Sequence, residues 1–437
     1  MKRINKYKGK TISPPNPVIY HLVGICAFCW YRLKHKISIP NKNNVVIKGP
    51  ALILSTHPTF LDFLHVALAL YPKRVTFVGN RFYMNMKPLN SLLKLLRYIP
   101  KRLFTSDLDT IKKIITSIKS GHIVAMMPEA RLSADGTNFP MNAGTAKLVK
   151  LLGVDVFKCH AKGGYFSNPR WGEASRKSNL TITLEKIFDK NDFKELTLDE
   201  IDAILTEKMS FDEQSTDTLI SCKDRTKGLD NIINYCPSCE NFLTMNAFDH
   251  KMACSKCDYE AYMGESCSFT TGKFATIHEW YETQGEAILA QMKNQPFSCE
   301  VETLALSDKL QKFVKVGEGT LYLSKEKISY TGDLLENNKD QAGLTESADR
   351  TSSTQSSTSS ESANSTAHNS TPQNEKNYCE VRLSSIEAMP FSITRGLQIY
   401  IGNDLYFFKP KENPKQMVFW SQYVDLLSKE AVKKTAK

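Results

Sequence analysis

Between residues 45 and 187, short apolar runs alternate with stretches whose apolar residues recur every three or four positions. Residues 45–47, 51–54, 75–78, 122–127, 154–159 and 180–187 read as strands, and residues 60–70 and 143–152 as helices. Leu89, Leu92, Leu93 and Leu96 sit at helical spacing, as do Leu108, Ile111, Ile114, Ile115 and Ile118. This alternation predicts an α/β domain over residues 45–215, with a mixed sheet flanked by helices. Its last element is a helix within 195–210, where Thr197 ahead of Asp199 and Glu200 makes a good helix start.

The pattern changes beyond that domain. Cys236-Pro-Ser-Cys239 and Cys254-Ser-Lys-Cys257 are separated by fourteen residues. Each Cys-x2-Cys turn offers two thiolates, and four thiolates complete a tetrahedron, so the spacing fits a small four-cysteine zinc ribbon. Such a site has no open coordination position, which makes the Zn2+ structural. Two reduced thiol pairs or two disulfides are the alternatives. A helix opening at Thr276 completes the segment 228–296. The interval 241–253 lacks a basic–aromatic cluster, which favours a stapling or docking module and leaves no nucleic acid expected as partner.

From residue 298 to 430 the texture is β. Residues 313–316, 319–323, 327–330, 378–383, 389–394, 397–401 and 405–409 read as short strands, with Gly402-Asn403-Asp404 as a hairpin turn. Met417, Trp420, Val424 and Leu427 mark a closing amphipathic helix. An antiparallel β domain closed by one helix resembles the pleckstrin-homology-like fold, by architecture and without any motif. The segment 334–377 interrupts it. In 351–371, fourteen of twenty-one residues are Ser or Thr, and 345–371 contain no Ile, Leu, Val, Met or large aromatic residue. No core can form there, so this insert is expected to be disordered.

Charge adds a polarity along the chain. The net charge is +11, yet the first 120 residues hold 21 Lys/Arg against three Asp/Glu. That block suits an anionic membrane surface or phosphorylated substrates, with nucleic acid as the competing partner. The apolar stretch 18–31 is interrupted by His21 and flanked by Arg32, Lys34 and Lys36. It is shorter than the roughly 20 residues of a membrane span and has no cleavage site. Residues 1–44 therefore read as a basic arm and a helix, either lying on the cytoplasmic leaflet or docked on the core. The expected location is the cytoplasmic face of a membrane, peripheral or monotopic. Cys26 and Cys29, on that helix, are expected to be small buried residues. The eleven cysteines show no secretory pattern, so the thiols are expected to be reduced.

The chemistry centres on Leu52-Ile-Leu-Ser-Thr-His57-Pro-Thr-Phe-Leu-Asp62. On one helix, five steps of about 100° would set His57 and Asp62 on different faces. With His57 in a turn after a strand and Asp62 in the first helical turn, the side chains can converge. An imidazole oriented by a carboxylate is a general base that needs no metal. Thr59-x-x-Asp62 also fits a capping box, in which Asp62 reaches back to the chain.

His57-x4-Asp62 after an apolar strand resembles the first motif of the lysophospholipid (1-acylglycerol-3-phosphate) acyltransferase superfamily. Phe77-Val-Gly-Asn-Arg81 lies at the place of its second motif, with Arg81 as the basic residue. Pro128-Glu129-Ala130-Arg131 resembles the third motif, Phe-Pro-Glu-Gly-Thr-Arg, but with Ala130 for Gly and the Arg one residue early. Asp155 stands where the fourth motif has Pro. The resemblance covers residues 17–210. It implies acyl transfer from a thioester on coenzyme A (acyl-CoA) or acyl carrier protein to the free hydroxyl of lysophosphatidic acid or a related membrane lysophospholipid. His57 and Asp62 would be catalytic, and Arg81, Glu129 and Arg131 would shape the phosphate site. The altered third and fourth motifs leave a membrane-associated adaptor with an impaired site as the alternative.

Overall fold

The computed structural model describes residues 11–435 apart from 43, 103–106, 130, 143, 174–175, 215–219, 295, 308–311, 335–376, 384–385, 387–390, 393–395 and 402–403. These divide into two compact units, one within Met1–Leu289 and Asp425–Lys437, the other within Ala290–Val424.

The first unit opens with helix α1, Pro17–Lys34. The Asn16 side chain accepts the Ile19 N–H at 3.1 Å, and Pro17 sits where its missing N–H costs nothing. Tyr20, Phe28 and Tyr31 form the buried face of α1. Val18, Leu22, Ile25 and Leu33 lie on the opposite face and are exposed. Cys26 and Cys29 are exposed as well, which corrects the expectation that they are buried. At about 100° per residue they fall on the outward face with those aliphatic residues.

A second correction concerns the first strand. Residues 45–47 form no strand. Strand β1 is instead Lys36–Ser38, paired parallel to a strand much later in the chain. Ile47 is nevertheless buried. Val45 is half-buried and Val46 exposed, so only one residue of the run meets the core, and residues 45–47 have no ladder partner among the described residues.

The central elements follow in order: β2 Ala51–Ser55, α2 Asp62–Leu70, β3 Val75–Asn80, α3 Leu89–Leu95, β4 Ile99–Lys101, α4 Leu108–Lys119 and β5 Ile123–Met126. Next come α5 Thr145–Leu152, β6 Asp155–Lys162, α6 Gly164–Ser167, β7 Lys177–Phe188, α7 Leu198–Met209 and β8 Ile220–Ser221. The sheet order is β1-β7-β6-β2-β5-β3-β4, with β8 on β7. β6, β2, β5, β3 and β4 run parallel, whereas β7 is antiparallel to β6. The mixed sheet flanked by helices is therefore present. β2 is buried at every position. Ile53 packs on one face with Leu64, Phe157 and Ile182, and Leu52 and Leu54 pack on the other with Ile114, Val149 and Leu205. Burial on both faces explains why β2 reads as a continuous apolar run. α7 begins with the capping box of Thr197 and Glu200.

The cysteine-rich segment folds as a three-stranded antiparallel sheet, β9 Met245–Phe248, β10 Lys251–Cys254 and β11 Glu260–Tyr262, followed by helix α8, Ile277–Asn294. Trp280 Nε1 of α8 donates to Tyr235 O at 2.9 Å. The Gln284 side chain accepts from the backbone N–H groups of Asn234 and Tyr235. These bonds fix the chain that leads into Cys236.

The second unit is built on a seven-stranded antiparallel sheet. Its strands are β12 Phe297–Ser307, β13 Lys312–Leu323, β14 Lys327–Leu334, β15 Asn377–Arg382, β16 Phe391–Ser392, β17 Gly396–Ile401 and β18 Asp404–Pro410. The order is β15-β14-β13-β12-β18-β17-β16. β12 was not anticipated, and 313–316 with 319–323 form the single strand β13. The expectation for 334–377 falls outside the described residues except at its ends. Helix α9, Met417–Thr435, begins in this unit, with Met417, Val418, Phe419 and Trp420 buried, and its residues from Asp425 belong to the first unit.

Candidate active site

Three neighbouring parallel strands deliver the motif residues at their carboxyl ends, the side of an α/β sheet where ligands bind. β2 pairs with β5, and Leu54 lies opposite Met126. His57 and Glu129 each follow that pair by three residues, so they leave the sheet at one level. β3, on the far side of β5, leads into the short 3-10 turn Arg81–Asn85.

His57 Nδ1 lies 3.0 Å from Asp62 Oδ2. The His57 side chain is 19% exposed and that of Asp62 only 2%. An ionised carboxylate only accepts, so His57 carries its proton on Nδ1, and Nε2 is left with a lone pair. Asp62 also accepts the Thr59 N–H at 3.0 Å. The reach back from Asp62 to the Thr59 N–H and the His–Asp contact thus coexist in one carboxylate, but the expected capping box is incomplete: Leu61 is the N-cap of α2, and no side chain caps it. Burial pushes the Asp62 carboxyl up, but hydrogen bonds from His57 and His65 outweigh it and hold the group below its ordinary range.

Glu129 is buried beneath His57. Its Oε1 accepts the His57 N–H at 3.3 Å, and Oε2 accepts the Phe139 N–H at 3.1 Å. The carboxylate spans the histidine turn and the loop after β5. The Ser133 N–H, donated to His57 O at 3.0 Å, ties the same two segments. Burial pushes the Glu129 carboxyl up to about 8, against the lowering effect of those two N–H donors. The sign follows from linkage. The folded state binds the proton more tightly than the unfolded state, so this group's stabilisation is complete below its ordinary value near 4.5 and is lost as pH rises toward 8. Glu129→Gln removes the titration, while its amide NH2 can no longer accept one of the two backbone N–H groups. Denaturant melts at pH 5 and pH 8 should show the variant gaining on the parent protein at the higher pH.

Arg131 turns to a different partner. It pairs with Asp425 of α9, both side chains buried, and its guanidinium lies 4.1 Å from the centre of the Phe139 ring. Burial works against both charges; the contact with Asp425 outweighs it at Arg131, whereas at Asp425 burial prevails and holds the carboxyl above its ordinary range. The early position of this arginine in the motif turns it toward a structural ion pair. Arg81 is exposed on the turn after β3. Phe60, in the histidine turn, and Tyr83, two residues beyond Arg81, have ring centres 6.0 Å apart. The arginine turn is therefore adjacent to the histidine turn.

The residues missed by sequence reading are His65 and Tyr31. His65 Nδ1 lies 3.1 Å from Asp62 Oδ1, and Tyr31 Oη lies 2.6 Å from His65 Nε2. The spacing of Asp62 and His65, three apart on one helix, is a readable signal for the first contact. Nothing local announces the second.

Further along the unit, Cys236, Cys239, Cys254 and Cys257 place their sulfurs within 4.8 Å of one another, a group that can hold a metal ion.

Residues 36–160 match the family model described as Acyltransferase. That span runs from β1 into β6 and contains His57, Asp62, Arg81, Glu129 and Arg131. Part of the first unit is thus similar to an acyltransferase domain. Among solved structures, the crystal structure of the 1-acyl-sn-glycerophosphate (LPA) acyltransferase PlsC from Thermotoga maritima is similar at 17% identity and a TM-score of 0.36, over 44% of this chain and 75% of that one. No curated protein matches the chain.

Proposed function

We propose that the protein moves a fatty acyl group from an acyl thioester, on coenzyme A or acyl carrier protein, to the free hydroxyl of lysophosphatidic acid or a related lysophospholipid. The observation that carries this reading is the 3.0 Å contact between His57 Nδ1 and buried Asp62 at the carboxyl end of β2. His57 Nε2 takes the hydroxyl proton as the oxygen attacks the thioester carbonyl. The C–O bond forms, the C–S bond breaks, and the departing thiolate receives the proton from the imidazolium. Asp62 fixes the tautomer and stabilises the cation. No Ser or Cys occupies a motif position, so transfer is direct. Formation of phosphatidic acid from lysophosphatidic acid and acyl-CoA by the purified full chain tests the reading.

Arg81 is assigned to the acceptor's phosphate, which a guanidinium can hold bidentately. Glu129 sets the floor of that site by bracing His57. Arg131 is assigned to the Asp425 pair rather than to substrate. Arg81→Ala should raise KM for lysophosphatidic acid about tenfold to hundredfold, the range for losing a hydrogen bond to a charged group, with kcat held. An unchanged KM would remove Arg81 from the site.

The cysteine cluster is assigned to structural zinc. Cys236 and Cys257 sulfurs are 3.7 Å apart, and Cys239 and Cys254 sulfurs 3.8 Å apart. A tetrahedral site with Zn–S bonds of about 2.3 Å has edges of about 3.8 Å, far longer than a disulfide. The residues therefore fit the metal, which would staple the segment and take no part in acyl transfer.

Attachment to the cytoplasmic face of a membrane is assigned to α1. Its outward face carries Val18, Leu22, Ile25 and Leu33, and Arg32 and Lys34 flank its end. Among the described residues no helix is long and apolar enough to cross a membrane. The seven-stranded antiparallel sheet, followed by the start of α9, supports a pleckstrin-homology-like reading of the second unit.

A further inference from the structure

The catalytic carboxylate has two oxygens, and the His57 contact uses one of them. The other is engaged by a second, fully buried histidine. His65 is 1% exposed, sits on α2 one turn after Asp62, and places Nδ1 at 3.1 Å from Asp62 Oδ1. The acceptor-only carboxylate requires an N–H there, so His65 donates from Nδ1. In the neutral ring Nε2 is then an acceptor, and the Tyr31 hydroxyl at 2.6 Å donates to it. Tyr31 is itself fully buried, and burial pushes its phenol well up, which keeps the hydroxyl protonated. The result is a chain of donors, Tyr31 to His65 to Asp62, that meets His57 across the carboxylate.

Space around this chain is closed. A Cβ built on Gly164 would lie 3.6 Å from the His65 ring and 3.6 Å from the Thr59 methyl, so α6 packs directly against it. The Tyr31 ring also lies 4.5 Å, centre to centre, from the His35 ring, whose Nδ1 is 3.1 Å from Ser178 Oγ on β7. The carboxylate is therefore held from both sides. Thr59 and His57 hold Oδ2, and His65 holds Oδ1, with its own ring pinned by a residue of α1.

We propose that His65 is a positioning residue for acyl transfer, holding the Asp62 carboxylate in the plane that His57 needs, with Tyr31 locking the His65 ring. This rests on the catalytic reading of His57 given above. The role differs from filling space. What matters is one N–H at the Nδ1 position, and asparagine can present an N–H at nearly that position, whereas leucine has the same size without it. A carboxylate freed on one side can rotate, and small misplacements of a catalytic group are costly.

The test compares His65→Leu, His65→Asn, Tyr31→Phe and His57→Ala in the full chain, with lysophosphatidic acid and oleoyl-CoA as probes. The expected result is a kcat about tenfold to hundredfold lower for His65→Leu, at unchanged KM for both probes. His65→Asn should recover kcat to about the level of Tyr31→Phe, because it restores the hydrogen bond to Oδ1 but not the acceptor for the Tyr31 hydroxyl. Should His65→Leu fail to fold, Tyr31→Phe decides, with kcat lowered about threefold to tenfold, the worth of one neutral hydrogen bond. Parent-like kcat in His65→Leu, or in Tyr31→Phe where that variant decides, overturns the inference while an inactive His57→Ala leaves the catalytic reading standing. Equal impairment of the Leu and Asn variants also overturns it, since that marks packing alone. Parent-like turnover in His57→Ala brings down the catalytic reading itself.

Discussion

Replacing His57 with alanine is expected to lower acyl transfer by at least about 10²-fold, the lower end of what a general base contributes. The fold should persist, for reasons visible around the residue. The contacts that fix the turn come from the His57 backbone, whose N–H goes to Glu129 and whose carbonyl accepts from Ser133. Alanine keeps both. Asp62 loses one partner but still accepts from Thr59 and His65, so no unpaired buried carboxylate is created. The measurement pairs initial rates with a thermal melt. Near-normal turnover in a folded variant would reject base catalysis by this histidine.

Removing metal from the cysteine cluster should have the largest structural effect. Structural zinc contributes apparent binding energies of about 10–16 kcal/mol in small metal-folded domains, so its loss can unfold a segment outright. The three strands β9 to β11 are short, and the Cys236–Cys239 turn is joined to β10 through Cys254. Apolar packing in this segment gathers around Leu229, Ile232, Ile233, Met245, Met252, Met263 and Trp280, whereas Cys239, Cys254 and Cys257 are only half-buried, so the cysteine end of the sheet depends on the ion. A chelator, or Cys254→Ser, is therefore expected to strip protection from the β10 amides in hydrogen exchange, with one zinc per chain lost by metal analysis. Retained protection in a metal-free protein would refute the structural role.

The histidine site was legible because its signals are local. His57 and Asp62 stand five apart at the end of an apolar strand, and the strand–turn–helix geometry that converges them is written in the same eleven residues. Glu129 was legible as a motif residue, but its contact with the His57 N–H depends on the register that sets Leu54 against Met126. No sequence window contains that register. Arg131 illustrates a longer reach, since its partner Asp425 is 294 positions away. Only the departure of the motif from Glu-Gly-Thr-Arg hinted that the side chain turns elsewhere. β12 is a different case. Cys299, Val301, Thr303 and Ala305 are buried and alternate with Glu300 and Glu302, a period-two pattern present in the sequence and passed over. Residues 45–47 fail in the opposite direction, because an apolar run was read as a strand where, among the described residues, only Ile47 is buried and no partner strand lies alongside.

The most direct measurement is the stoichiometry of a steady-state reaction, with labelled oleoyl-CoA and lysophosphatidic acid presented to the full chain in mixed micelles. Direct transfer with His57 as base predicts one phosphatidic acid formed for each thiol released, no initial burst of thiol, and both products lost together in His57→Ala. Thiol release without ester formation, a burst that marks an acyl-enzyme, or no turnover with any lysophospholipid and either thioester donor would contradict it.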